Sequence, residues 1–90
     1  MADPIVIRIS TLKYMPSPVE IAVNQSVVWE NADNMGHTAT RTSAPAFDTG
    51  MIAPGTRSAP VTFSSVTGVD GIEYFCRPHP FMKGRIIVKP

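Results

Sequence analysis

Three residues near the C-terminus of the chain, Cys76, His79 and Met82, carry side chains that bind soft or borderline metal ions. They lie three residues apart within the stretch FCRPHPFMKG, and Cys76 is the only cysteine in the sequence. The same residues allow two other interpretations. One is a cysteine nucleophile beside a histidine base, and the other is ordinary apolar packing at the end of a strand.

A catalytic cysteine is the weakest of these interpretations. Such a cysteine needs an accessible, electropositive setting, and its histidine needs a third group that orients it. No carboxylate lies near His79 in the sequence, and the alternation of Ile72, Tyr74 and Cys76 predicts a Cys76 side chain that points into the core. Core packing would account for Cys76 alone, but the second histidine of the chain weakens that interpretation.

The second histidine, His37, stands at the start of the strand-like stretch HTAT, after the polar loop NADNMG. In a β-sandwich, the loop that enters one strand and the loop that leaves another can meet at the same end. His37, Cys76, His79 and Met82 can then converge, and two imidazoles, a thiolate and a thioether are the donors of a blue-copper site. Zinc is the inorganic alternative and would need another ligand such as Asp48, because a thioether is a poor ligand for zinc.

The elements that would position these residues are β-strands. Apolar residues alternate with polar ones around residues 5–9, 19–23, 61–63 and 72–76, and turn sequences such as FDTG and TGVDG separate the runs. Nine prolines in 90 residues leave little room for long helices. The sequence therefore predicts an all-β fold, an antiparallel β-sandwich of about 7–8 strands. Residues 1–90 are expected to form one domain, with Trp29 and Tyr74 in its core.

Composition excludes several classes of function. The net charge is +1 and the eight basic residues are scattered, which argues against nucleic-acid binding. No apolar run approaches the roughly 20 residues of a membrane span, and no segment resembles a signal peptide. A core of this size is thin and a single cysteine cannot form an internal disulfide, so a bound metal is one common means of stabilisation.

Five stretches together resemble the cupredoxins, the small blue-copper proteins of the amicyanin and plastocyanin group, and they cover almost the whole chain. They are VNQSVVWEN before the first histidine, GHTAT, FDTGMIAPG, VTF, and the closing segment GIEYFCRPHPFMKGRIIV. Two residues between each pair of ligands is the shortest loop in that group, and C-x-P-H-P-F-M resembles amicyanin in particular. The resemblance implies a Greek-key sandwich. It also implies that one copper ion is held by His37, Cys76 and His79 in a plane, with Met82 as the axial contact.

Three further residues are expected to shape the ligand loops. Many members of the group carry asparagine after the first histidine, where this chain has Thr38, whose hydroxyl could partly replace the amide. Pro78 and Pro80 fix the backbone φ angle on either side of His79. Since Pro78 has no N–H group, the Thr38 amide is the remaining candidate donor to the Cys76 sulfur.

The resemblance also implies a function, a mononuclear electron carrier that cycles between Cu(II) and Cu(I) and is not itself an enzyme. Its contacts with larger redox proteins are expected to be transient, and the chain is expected to be a monomer in the periplasm or another extracytoplasmic compartment. The expected docking patch around His79 consists of Met35, Met51, Pro54 and Phe81. Two alternatives remain open, a copper storage or delivery protein and a cupredoxin domain excised from a larger copper oxidoreductase.

Overall fold

A computed structural model describes residues 3–90, which form nine β-strands and contain no helix long and apolar enough to cross a membrane. The first two residues of the predicted domain lie outside the described range. The strands are β1 (Ile5–Ser10), β2 (Lys13–Met15), β3 (Val19–Ala22), β4 (Ser26–Asn31), β5 (Thr40–Arg41), β6 (Phe47–Asp48), β7 (Val61–Thr62), β8 (Ile72–Phe75) and β9 (Lys83–Lys89).

The strands form two sheets that share one core, which confirms the predicted all-β sandwich. One sheet has the order β2-β1-β4-β7, and the other has the order β3-β9-β8-β5-β6. The pairs β1/β4 and β3/β9 are parallel, and the other pairs are antiparallel. The predicted antiparallel pairing is wrong for these two pairs, because alternation identifies a strand and its buried face but carries no information about the direction of a distant neighbour.

Alternation does determine which side chains fill the space between the sheets. Ile7 and Ile9 of β1 are fully buried, as are Ile86 and Val88 of β9 in the facing sheet. The predicted core positions of Trp29 and Tyr74 are confirmed, with 0% and 1% of their surfaces exposed.

Aromatic side chains dominate the centre of this core. The Trp29 ring stacks on Phe47 with ring centroids 5.6 Å apart and meets Tyr74 edge-on at 5.4 Å. The indole N–H of Trp29 donates a hydrogen bond of 3.2 Å to the Tyr74 hydroxyl. Both rings therefore have fixed orientations, because each is held by packing and by a polar contact.

Two features of the sheets bring distant segments to one end of the sandwich. Thr40 of β5 lies opposite Phe75 of β8, so the chain that follows His37 runs beside the residue that precedes Cys76. His37 in turn exchanges backbone hydrogen bonds with Ile52, with N···O distances of 3.3 and 2.7 Å. The pairing of Thr40 with Phe75 thus places the His37 and Cys76 segments side by side, and the pairing with Ile52 fixes the backbone of His37.

The turn before β4 contains Asn24, which adopts a left-handed conformation with φ of 72°. Asparagine tolerates this conformation better than most residues. The N–H of Gln25 donates to the Ala22 carbonyl at 3.1 Å, which closes the turn.

Gly84 leaves room for the Tyr74 ring at the start of β9. It lies opposite Tyr74 in the β8/β9 pair, and a Cβ atom at this position would fall 2.3 Å from the Tyr74 ring. The Gly84→Ala variant is therefore expected to lose about 1–3 kcal/mol of unfolding free energy, measured by urea denaturation followed by Trp29 fluorescence.

Gly68→Ala is the matched control. No atom lies within 4 Å of a Cβ built at Gly68, so its stability is expected to stay within about 0.5 kcal/mol of the wild type. Equal stability losses in the two variants would show that the close approach of Tyr74 to Gly84 does not matter.

Candidate metal centre

The loop between β8 and β9 is closed by three backbone hydrogen bonds among the residues singled out in the sequence. The Cys76 N–H donates to the Met82 carbonyl at 3.0 Å, the His79 N–H donates to the Cys76 carbonyl at 3.2 Å, and the Met82 N–H donates to the His79 carbonyl at 2.8 Å. Pro78 and Pro80 flank His79 and restrict φ on both sides of it. The loop is short, hydrogen-bonded and stiff, so it holds these side chains without a large entropic cost.

Three of the predicted residues come together at the end of the sandwich. The metal-binding atoms of His37, Cys76 and His79 all lie within 4.8 Å of one another. The Nδ1 atoms of His37 and His79 are 3.6 and 3.7 Å from the Cys76 Sγ. Both imidazoles therefore present the same nitrogen to the sulfur.

These separations fit a single metal ion. A metal bonded at about 2.0 Å to nitrogen and about 2.3 Å to sulfur, with about 120° between the bonds, keeps those two atoms about 3.7 Å apart. The described residues thus already hold the nitrogen and sulfur atoms at the spacing that one ion between them would require.

Burial differs among the four predicted ligands. His37 and Cys76 are 0% exposed and Met82 is 2% exposed, whereas the ring of His79 is partly exposed. Cys76 and Met82 are both buried in the core cluster, and the backbone hydrogen bond between them places the two residues next to each other. A completely buried cysteine also argues against the nucleophile interpretation, which requires access for a substrate.

His37 is oriented by a carboxylate. Its Nε2 lies 2.9 Å from the Oδ2 of Asp33, whose two oxygens also accept hydrogen bonds from the backbone N–H groups of Thr11 (2.6 Å) and Leu12 (3.0 Å). Thr11 and Leu12 have φ angles of 53° and 61°, and two successive left-handed residues point both N–H groups at one anion. With Nε2–H donated to Asp33, the lone pair of Nδ1 is free to bind a metal.

The contacts of Asp33 also determine its ionisation. Partial burial would raise the pKa of Asp33, but the hydrogen bonds from Leu12, Thr11 and His37 outweigh it and lower that pKa below its usual value. Asp33 is therefore a carboxylate at neutral pH and can only accept hydrogen bonds.

Asn31 holds the loop that carries Asp33. It is 0% exposed, its Nδ2 donates to the carbonyls of Met35 and Ile52 at 2.8 Å each, and its Oδ1 accepts the Asp33 N–H at 2.9 Å. The sequence analysis missed both Asn31 and Asp33. The available signal was a carboxylate four residues before a histidine, directly after a strand that ends in asparagine.

The Cys76 sulfur and the following peptide group are both bound to Thr38. The Thr38 N–H lies 3.4 Å from the Cys76 Sγ, and the Thr38 hydroxyl accepts the Arg77 N–H at 2.9 Å. Two hydrogen bonds in opposite directions thus join the segment after His37 to the segment after Cys76. A threonine forms this link where many related proteins have asparagine.

The four residues of the expected docking patch are all exposed. Phe81 is 70% exposed, Met51 is 64% exposed and Met35 is 42% exposed, and Pro54 is exposed as well. The rings of His79 and Phe81 lie edge to face, with centroids 6.1 Å apart.

Comparisons with known proteins agree with this geometry. The model of the plastocyanin/azurin family of copper binding proteins matches residues 4–89. Amicyanin from Paracoccus versutus is 31% identical over an alignment of 97 positions, which covers 98% of this chain and 67% of that protein. Amicyanin-alpha from Methylorubrum extorquens is 28% identical over 83 residues, which cover 92% of this chain and 70% of that protein. The chain spans 65% of the length of a third relative, amicyanin from Paracoccus denitrificans.

Solved structures give the same result. The reduced Cu(I) form of an amicyanin variant at pH 4 superposes with a TM-score of 0.83 and 29% identity over 99% of this chain and 86% of that chain. The reduced state of a second amicyanin variant superposes with a TM-score of 0.85 and 26% identity over 96% of this chain and 82% of that chain. The predicted cupredoxin fold is thereby confirmed.

Family membership also settles the cofactor and the general class of activity. Copper, predicted from the donor set, is the metal that this family binds, and the cluster of two histidines and a cysteine suits a single ion. Proteins of the amicyanin and plastocyanin type are electron carriers rather than enzymes. The chain belongs to the plastocyanin/azurin family of copper-binding proteins.

Proposed function

We propose that this chain is a mononuclear blue-copper electron carrier in which His37, Cys76 and His79 would hold the ion, with the Met82 thioether as a weaker fourth donor. The observation that carries the proposal is the position of two imidazole Nδ1 atoms 3.6 and 3.7 Å from the Cys76 sulfur. Two imidazoles, a thiolate and a nearby thioether are the donors that distinguish blue-copper electron-transfer sites from zinc sites.

Copper bound to these donors supplies a one-electron Cu(II)/Cu(I) couple. The protein contributes rigidity. Asp33 fixes the ring of His37, Thr38 fixes the sulfur of Cys76, and the backbone hydrogen bonds of residues 76–82 fix the loop. Donors held in this way need little rearrangement when the charge of the site changes, so an electron can be gained or lost without a large reorganisation cost.

His79 is the proposed point of electron entry and exit. It is the one partly exposed member of the three-residue cluster, and Phe81 packs beside it. We infer that the exposed side chains of Met35, Met51 and Pro54 belong to the same docking surface. Such a patch suits short-lived contacts with redox proteins, because encounters of this kind bury less than about 1,200 Å² and release quickly.

The burial of the site favours a carrier over a protein that stores or delivers copper. A protein that hands an ion to another needs ligands that a recipient can reach, whereas Cys76 and His37 are both 0% exposed. We further propose that the domain of residues 1–90 acts as a monomer with transient donors and acceptors in an extracytoplasmic compartment, as the family resemblance implies.

The proposal predicts a characteristic response to copper. Addition of Cu(II) to the metal-free protein is expected to produce an intense visible band that saturates at one equivalent, because the Cys76 thiolate donates charge to the ion. The band is expected to bleach with a reductant and return with an oxidant over repeated cycles, without loss of copper. Absorbance measured during the titration and the redox cycles tests this directly.

The Cys76→Ser variant is the control for the titration. It removes the sulfur but keeps a small polar side chain, and it is expected to lack the band entirely. A wild-type protein that stays colourless contradicts the proposal, as does a Cys76→Ser variant that turns blue.

The Asp33→Asn variant tests the proposed orientation of His37. Asparagine keeps the shape of the side chain but loses the negative charge and replaces one oxygen by N–H₂, so it cannot accept from Thr11, Leu12 and His37 at once and its hold on the His37 ring weakens. Copper affinity, measured by competition with a chelator, is expected to fall about 10–100-fold while the fold is retained.

Asp70→Asn removes the same charge at the opposite end of β8 and is the matched control. Its copper affinity is expected to equal that of the wild type. If Asp33→Asn also binds copper with unchanged affinity, the carboxylate does not position His37.

A further inference from the structure

A second set of polar contacts joins Thr38 to Arg77, the residue that follows Cys76. The hydroxyl groups of Thr38 and Thr40 are 2.9 Å apart, and the Thr40 hydroxyl donates to Oδ1 of Asp48 at 3.1 Å. The other oxygen of Asp48 accepts a hydrogen bond from Nε of Arg77 at 3.0 Å. Because the backbone N–H of Arg77 donates to the Thr38 hydroxyl at 2.9 Å, these contacts close into a ring that begins and ends at Arg77.

Elementary chemistry fixes the direction of every hydrogen bond in this ring. An ionised carboxylate only accepts, so the single hydroxyl hydrogen of Thr40 is used on Asp48. The Thr40 oxygen must then accept from Thr38, which leaves the Thr38 oxygen as the acceptor for the Arg77 N–H. The three hydrogen bonds from the Arg77 amide through Thr38 and Thr40 to the carboxylate thus run the same way, and bonds aligned in series strengthen one another. The fourth hydrogen bond, from Arg77 Nε, reaches the same carboxylate from the other side.

Burial makes this arrangement more than a surface feature. Thr38 and Thr40 are 3% and 1% exposed, although a buried hydroxyl is costly unless it is hydrogen-bonded. Asp48 is held in place by a further hydrogen bond of 2.9 Å from the Gly50 N–H. The two hydroxyls therefore connect an anchored surface carboxylate to the peptide group that follows Cys76.

We propose that the ring of Thr38, Thr40, Asp48 and Arg77 is a positioning device that fixes the Cys76–Arg77 peptide against Thr38 and so sets the N–H···S contact on the cysteine sulfur. The proposal rests on the proposed copper-ligand role of Cys76. It differs from a purely structural role in one respect. The hydrogen bond from the Thr38 N–H to the sulfur stabilises the electron-rich reduced site. A loosened ring weakens this hydrogen bond, so the reduction potential falls.

The first experiment uses the metal-free protein and amide hydrogen exchange measured by NMR. Thr40→Val removes the central hydroxyl without a change in charge, and it is expected to speed exchange of the Arg77 amide about tenfold. The Cys76 amide, which donates to the Met82 carbonyl in the same loop, is the internal reference and is expected to change much less.

A control and a second variant keep this test decisive. Thr62→Val removes the hydrogen bond of 2.6 Å between Thr62 and Ser26 in the other sheet, and it is expected to leave the Arg77 amide unchanged. Asp48→Asn opens the ring at its exposed end, so it gives the same readout if Thr40→Val does not fold. The double variant is expected to exchange no faster at Arg77 than Thr40→Val alone, because the ring is already open.

The second experiment uses the copper-loaded protein. Thr40→Val is expected to keep the visible band, to show a lower reduction potential than the wild type and to lose copper to a chelator about tenfold faster. Thr62→Val is expected to match the wild type in both measurements.

The two experiments separate failure of the ring from failure of the proposed function. An Arg77 amide that exchanges no faster relative to Cys76 in Thr40→Val or Asp48→Asn overturns the ring, whatever the colour of the protein. An unchanged potential in a folded, blue Thr40→Val protein overturns the positioning role. A colourless wild-type protein overturns the copper function instead, and the exchange experiment then decides the ring by itself.

Discussion

The structure depends most on the approach of an imidazole and a thiol that lie 39 residues apart in the sequence, His37 and Cys76, to 3.6 Å within a buried space. Polar groups can share such a space only when their remaining hydrogen-bonding atoms have partners. The partners are present on each side. Asp33 binds the outer nitrogen of His37, and the Thr38 N–H reaches the cysteine sulfur. The neighbouring polar contacts thus allow these two side chains to lie together in a space that solvent does not reach.

Because of this requirement, the residues of the candidate metal centre are packed against the hydrophobic core and held by it. β8 ends directly before Cys76 and β9 begins directly after Met82, so the pairing of these two strands fixes the position of the ligand loop. Beneath the loop, the Tyr74 ring covers Gly84 and is locked by Trp29 and Tyr14, whose ring centroid lies 4.6 Å away. The Tyr14 hydroxyl in turn donates to the Thr38 carbonyl, which ties the aromatic core to the residue that contacts the sulfur. These contacts hold the residues around Cys76 in fixed positions against the core, while His79 is partly exposed at the surface.

The sequence predicted more of the chemistry of the site than of the strand arrangement and contacts that build it. The spacing of Cys76, His79 and Met82 and the presence of one other histidine were enough to predict a copper site, and the structure brings His37, Cys76 and His79 together. The family resemblance extended this to the cupredoxin fold. The parallel strand pairs, the left-handed turn at Thr11 and Leu12 and the ring that passes through Thr40 and Asp48 were not predicted. Each depends on residues brought together by the fold, and threonines and aspartates are too common in loops for their types to reveal a network.

Copper K-edge X-ray absorption of the Cu(II)-loaded protein tests most directly whether one ion binds to the two imidazoles and the thiolate. Two nitrogen neighbours and one sulfur neighbour are expected at bonding distance, and the sulfur contribution is expected to disappear when Cys76 is replaced by serine. A first coordination shell of nitrogen and oxygen alone in the wild-type protein would contradict it.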